Sequence, residues 1–91
     1  MPDKGWMVPY RLSQRDADII NLRRMTYSHA DAPAGVQVHL GSHVFVGESY
    51  PMIVTAVHEG SINGQVFLDG TDTYWVEGAE EGDGCGQYGM D

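Results

Sequence analysis

The hydrophobic period changes once along this 91-residue chain, and that change dictates its fold class. Before the breaker cluster Asp31-Ala32-Pro33-Ala34-Gly35 the apolar residues recur at roughly the 3.6-residue repeat of a helix; after it they fall on about every second residue, as in a strand. VQVHL (36–40) sets Val36, Val38 and Leu40 against Gln37 and His39, Gly41-Ser42 turns, and HVFV (43–46) returns. MIVTAVH (52–58) is β-branched and apolar on both faces, as a central strand is. Glu59 to Gly64 then connects to QVFL (65–68), and Asp69-Gly70 turns the chain into a last strand from Thr71 to Val76. Five short strands and one preceding helix predict a mainly β (α+β) domain: a small SH3-like barrel, or an OB-like five-stranded one.

The helix has its own start signal. Ser13 followed three residues later by Asp16 reads as a capping box, with Leu12 and Ala17 as its hydrophobic staple. The helix segment is 13–28, beginning at Gln14; Ile19, Leu22 and Thr26, with Met25 beside them, form the apolar stripe, and Arg15, Asp18, Asn21 and Arg24 look outward. Residues 1–12 form an N-terminal arm whose Trp6, Met7, Val8 and Tyr10 are apolar enough to lie on the barrel or on a partner, and the barrel takes 36–76. The tail, 77–91, is EGAEEGDGCGQYGMD; its composition buries too little apolar surface to order itself, so it is ordered only if held, with Tyr88 as the anchor.

Of the net charge of −8, the first 24 residues carry all five cations against three acids, so they are +2. The remaining 67 carry ten acids and no Lys or Arg, a local −10. Such a body repels duplex nucleic acid, whose phosphates call for clustered Lys and Arg. A chain this short buries only somewhat more than about 60% of its unfolded surface, which points to a homo-oligomer or a ligand for added stability. One cysteine, Cys85, excludes an internal disulfide, and neither a signal peptide nor a membrane span is visible; the expectation is a soluble, intracellular protein.

Chemistry-bearing motifs are few. His39, His43 and His58 have no second cysteine or carboxylate set to complete a metal site, and Asp69, Asp72 and Glu77 do not follow the roughly 12-residue calcium loop. No nucleophile elbow, Cys–His pair, Walker loop or dinucleotide fingerprint occurs, so the expectation is a non-enzyme with no catalytic residues, metal or cofactor. Asp69-Gly70 supplies a type I′ turn. Asp72 has two readings, capping nearby backbone N–H groups or accepting hydrogen bonds from a ligand's base or sugar. Tyr74 and Trp75 point to opposite sides of their strand, so one is core and the other meets the helix, a partner or a flat ligand. Arg23 and Arg24 either oppose the helix dipole or fork onto a phosphate.

Three blocks together resemble a small protein family of tailed bacteriophages: Tyr10-Arg11-Leu12-Ser13 with Asp18, Ile20, Asn21, Arg23 and Arg24; Tyr50-Pro51-Met52-Ile53-Val54; and Ile62-Asn63-Gly64-Gln65-Val66-Phe67-Leu68-Asp69-Gly70-Thr71-Asp72-Thr73-Tyr74-Trp75. They span about half the chain. The family's tail ends in a Gly-Thr-Trp-like element, where this chain has Gly86-Gln87-Tyr88. The resemblance implies one of two roles, with a host-protein mimic or inhibitor whose acidic face occupies a basic site as a third possibility. The first is an oligomeric counter-defence protein in the host bacterial cytoplasm that sequesters a cyclic nucleotide signal: Trp75 or Tyr88 stacks the base, Asp72 or Asn63 reads its edge, and Arg23 or Arg24, from the same or a neighbouring chain, meets the phosphate. The second is a virion part, a capsid cement, head-completion or tail accessory protein that docks on major capsid or tail proteins.

Overall fold

Ser13 and Asp16 start the helix as the capping box predicts. Asp16 N–H donates to Ser13 Oγ at 3.1 Å, Ser13 N–H donates to Asp16 Oδ2 at 2.9 Å, and Leu12 and Ala17 are both buried on either side. In this computed structural model, which describes residues 2–26, 43–70 and 72–90, the elements run β1 (Met7–Arg11), α1 (Gln14–Thr26), β2 (Ser49–His58), β3 (Ser61–Phe67), β4 (Thr73–Glu81) and β5 (Gln87–Tyr88). The strands close a barrel in the order β1-β2-β3-β4-β5, antiparallel except for the parallel β4–β5 pair. Among the described residues the architecture is therefore a five-stranded barrel with one helix.

Two of the five strands are not those read from the sequence. β1 lies in the segment assigned to the arm; Pro9 and Pro51 form a non-hydrogen-bonded pair there, so neither missing N–H takes a bond from the β1–β2 ladder. β5 lies in the acidic tail, because Gly86 N–H and Gly89 N–H bond to the carbonyls of Arg11 and Pro9 at 2.7 and 2.9 Å and Tyr88 fills the core. The barrel thus runs from Met7 to Tyr88 rather than over 36–76. His43 to Val46 form no strand: Asn21 Nδ2 donates to the Val44 carbonyl at 2.8 Å and Asn21 Oδ1 accepts the Val44 N–H at 3.0 Å, taking both groups a ladder would have used. The strand predicted over 36–40, the end of the helix segment at 27–28, and His39 lie outside the described residues.

Register builds the core. One inward row crosses Val8, Met52, Val66 and Tyr74; the next crosses Val54, Gly64 and Val76. Met52, Val54, Ile62 and Val66 are fully enclosed, each contributing about 1.5–3 kcal/mol. Gly64 is required by the closeness of the strands, since a Cβ there would lie 2.6 Å from Met52 Cγ and 2.8 Å from the Ile53 carbonyl oxygen. Ile62 to Gly64 are strand rather than connection, because Glu59-Gly60 alone turns the chain between His58 and Ser61. Asn63 faces a bulge at Glu77-Gly78, where its Oδ1 accepts the Gly78 N–H at 2.9 Å and Gly78 holds φ 74°.

Two further expectations are corrected. Asp69-Gly70 is not a type I′ turn: only Gly70 has positive φ, and Leu68 N–H donates to the Asp72 carbonyl at 3.2 Å. The ladder stops at Phe67–Thr73 because Asp72 turns inward. The helix buries Asp16, Ala17 and Ile20, with Arg24 one turn on, while Leu22 is 64% exposed. It docks largely by hydrogen bonds, so hydropathy picks the wrong face.

Candidate functional site

The last turn of α1 carries Arg23 and Arg24, and the residue preceding β4 is Asp72; folding brings all three together. Arg23 Nη2 donates to Asp72 Oδ2 at 2.8 Å and to the Thr73 carbonyl at 3.2 Å, and its guanidinium carbon lies 5.6 Å from the centre of the Tyr74 ring. Arg24 Nε stands 3.6 Å from the same Asp72 oxygen, beyond hydrogen-bond length. The side chains of Arg23, Arg24 and Asp72 are 28%, 9% and 1% exposed.

Two guanidinium groups meet at one buried carboxylate, Asp72, inside a body that is otherwise strongly acidic. Arg24 Nε, Nη1 and Nη2 and Arg23 Nε are buried and have no hydrogen-bond acceptor among the described residues. A buried ionic donor without an acceptor costs more than the about 1–3 kcal/mol of a neutral one, and a planar guanidinium is shaped to fork onto an oxyanion. The node is therefore chemically unfinished on its donor side. Nearby, Tyr50 donates to Glu48 Oε1 at 3.0 Å; burial first, and Glu48 second, raise its pKa, while Arg24 acts in the opposite direction.

A second polar cluster holds the helix start. Asp16 accepts from Tyr10 at 2.5 Å through Oδ2 and from Tyr74 at 2.9 Å through Oδ1, besides its cap on Ser13. Burial, then the hydrogen bond to Asp16, raises the Tyr10 pKa well above the usual phenol range and pushes that of Tyr74 up to about 12. Tyr74 is thus gripped between Asp16 and Arg23, which fixes the start of β4 against the helix.

Of the six residues expected to bind a ligand, Arg23, Arg24 and Asp72 converge; Asn63, Trp75 and Tyr88 do not. Asn63 spends its side-chain oxygen on the bulge. Trp75 is 50% exposed and points outward, away from Tyr74, as strand alternation requires. Tyr88 is 1% exposed in the core opposite Tyr10, so it presents no stacking face; burial raises its pKa. Sequence reasoning missed Asp16, Tyr10 and Tyr74 as one network; the capping box signalled Asp16, and nothing signalled that both phenols would reach it. Among the described residues no three His, Cys, Asp or Glu side chains gather as a metal site, and no helix is long and apolar enough to cross a membrane. Compared with protein-family models, curated proteins and solved structures, the chain matches none.

Proposed function

We propose that the protein is a non-catalytic binding protein whose Arg23–Arg24 node takes the phosphate of a cyclic nucleotide, the counter-defence role that the phage resemblance implies. The observation that carries this reading is the Arg24 guanidinium, nine-tenths buried with three nitrogens lacking any acceptor. An oxyanion seated there completes the donor set that Asp72 leaves open. Because Trp75 points away from the arginines, a base stacked on Trp75 and a phosphate on Arg24 come from two copies, which favours a homo-oligomer acting in the host cytoplasm.

A thermal-shift panel of cyclic di- and trinucleotides, with inorganic phosphate as reference, tests this. A true ligand at 100 times its Kd stabilises the chain by about 2.7 kcal/mol, rising with concentration. Arg24→Met should abolish the response. If no member of the panel raises the midpoint, or if the variant responds as the parent does, the proposal fails.

A second reading, a capsid or tail accessory protein, is favoured by the apolar side chains turned to solvent: Trp6, Met7, Phe67 and Trp75. Peptide mass spectrometry of purified virions separates the two, since a virion part is found there in stoichiometric amount and a cytoplasmic sequestering protein is not.

A further inference from the structure

β4 is bonded unequally along its two edges. One edge follows β3 from Thr73 to Ala79; the other meets β5 only at Glu80 and Glu81. Among the described residues no other backbone bond reaches that second edge. From Tyr74 to Ala79 it borders a groove of about 300 Å³, whose far wall is made by Tyr10, Arg15, Asp16 and Gly86.

In an antiparallel ladder alternate N–H and C=O groups of a strand face away from its partner, so a free edge is a ready row of donors and acceptors. Folds usually blunt such edges with bulges, prolines or charge. Here the Leu68 N–H to Asp72 carbonyl bond sets the register, so the backbone groups of Tyr74 and Val76 face β3 while the N–H and C=O of Trp75 face the cleft; the bulge at Glu77-Gly78 disturbs only the distal half. The occupant that matches a strand edge in a cleft is another extended segment, added as a strand.

Charge narrows its composition. Asp16 and Glu77 line the groove against one cation, Arg15, and the exposed Glu80 and Glu81 follow directly along β4. The half-exposed Trp75 supplies an indole on which a cationic or apolar side chain can rest. We propose that this groove is a docking site for an extended, lysine- or arginine-bearing segment of a partner protein, which pairs with β4 beside Tyr74–Val76. It does not include Arg23, Arg24 or Asp72, and stands or falls separately from the oxyanion node.

Titrating isotope-labelled protein with acetyl-Val-Lys-Val-Lys-Val-amide, and separately with acetyl-Val-Glu-Val-Glu-Val-amide, tests this while following amide shifts and hydrogen exchange. The lysine peptide should shift the amides of residues 74–78 and slow exchange of the Trp75 N–H, which faces the cleft, by about ten-fold or more at saturation. The glutamate peptide should do neither, and Glu77→Lys should weaken the lysine peptide about five-fold. Shifts confined to other strands, equal binding of both peptides, or shifts without slowed exchange each overturn the proposal. Should Glu77→Lys not fold, the comparison of the two peptides on the unaltered chain decides.

Discussion

Replacing Arg24 by Met should make the unliganded protein more stable. The balance follows from the node. Three guanidinium nitrogens of Arg24 are buried without an acceptor, each an unmet donor costing about 1–3 kcal/mol, on top of the several kcal/mol paid to desolvate the charge. Against this stands attraction to Asp72 at 3.6 Å, worth about 4 kcal/mol at an effective dielectric of about 20. Met keeps the apolar stem and removes the penalty, so Arg24→Met is expected to stabilise by about 1–3 kcal/mol, a rise in Tm of about 5 °C or more. Arg23→Met should have the opposite sign: it removes the 2.8 Å partner of a carboxylate that is 1% exposed and should cost about 2 kcal/mol, below the usual cost of breaking a buried pair because Arg23 is partly solvated. Urea unfolding followed by circular dichroism, without phosphate in the buffer, measures both. If Arg24→Met destabilises by more than about 1 kcal/mol, the unfinished-node reasoning is wrong, because Arg24 is then stabilising the fold rather than waiting for a ligand.

Asp16→Ala removes the acceptor of two phenols and of the cap, so it should cost about 3–5 kcal/mol in urea unfolding, whereas Asp16→Asn, which keeps one oxygen, should cost about half as much. A loss under about 1 kcal/mol for Asp16→Ala would show that the phenols find other partners. Alkali should also unfold the protein: the folded state holds the Tyr74 proton more tightly, so stability is constant below pH 10 and falls as pH rises toward about 12, by at most about 1.4 kcal/mol per pH unit from this group. Urea midpoints at stepped pH should show that slope, and Tyr74→Phe should lessen it by this one group's share, the raised Tyr10, Tyr50 and Tyr88 keeping the rest. Gly64→Ala forces a methyl into the Met52 side chain and the Ile53 carbonyl and should cost about 1–3 kcal/mol; a neutral result would mean the strands stand further apart than described.

The fold class was legible in the sequence because binary alternation after Gly35 and the Ser13–Asp16 box are local signals. Strand identity was less so. MVPYR reads as an arm lying on the barrel, and its pairing with β2 rests on a partner strand about 40 residues further on; its central proline is tolerated because Pro9 and Pro51 form a non-hydrogen-bonded pair. The tail looked unable to order itself because composition counts side chains, whereas β5 is held by the glycine N–H groups of Gly86 and Gly89 and by one tyrosine. At the site, the sequence named Arg23, Arg24 and Asp72 singly, but their meeting depends on a helix–barrel contact 49 residues long in sequence, which no local pattern encodes. Asn63 and Tyr88 stand apart from that node for the reverse reason: each has chemistry suited to a ligand, and each engages the fold, Asn63 through the Gly78 N–H and Tyr88 in the core.

The pairing of Tyr10 with Tyr88 also constrains how the molecule assembles. β1 precedes both of its neighbours in the chain, and after β2 has been made it stays half-paired until β5 follows. Hairpins β2–β3 and β3–β4 are local and can form early, but the seam is the longest-range contact and its loop-closure entropy is met last. Slow release of the tail should therefore leave a partly zipped intermediate whose β1 is open to capture by a neighbouring copy, the usual route to a swapped dimer.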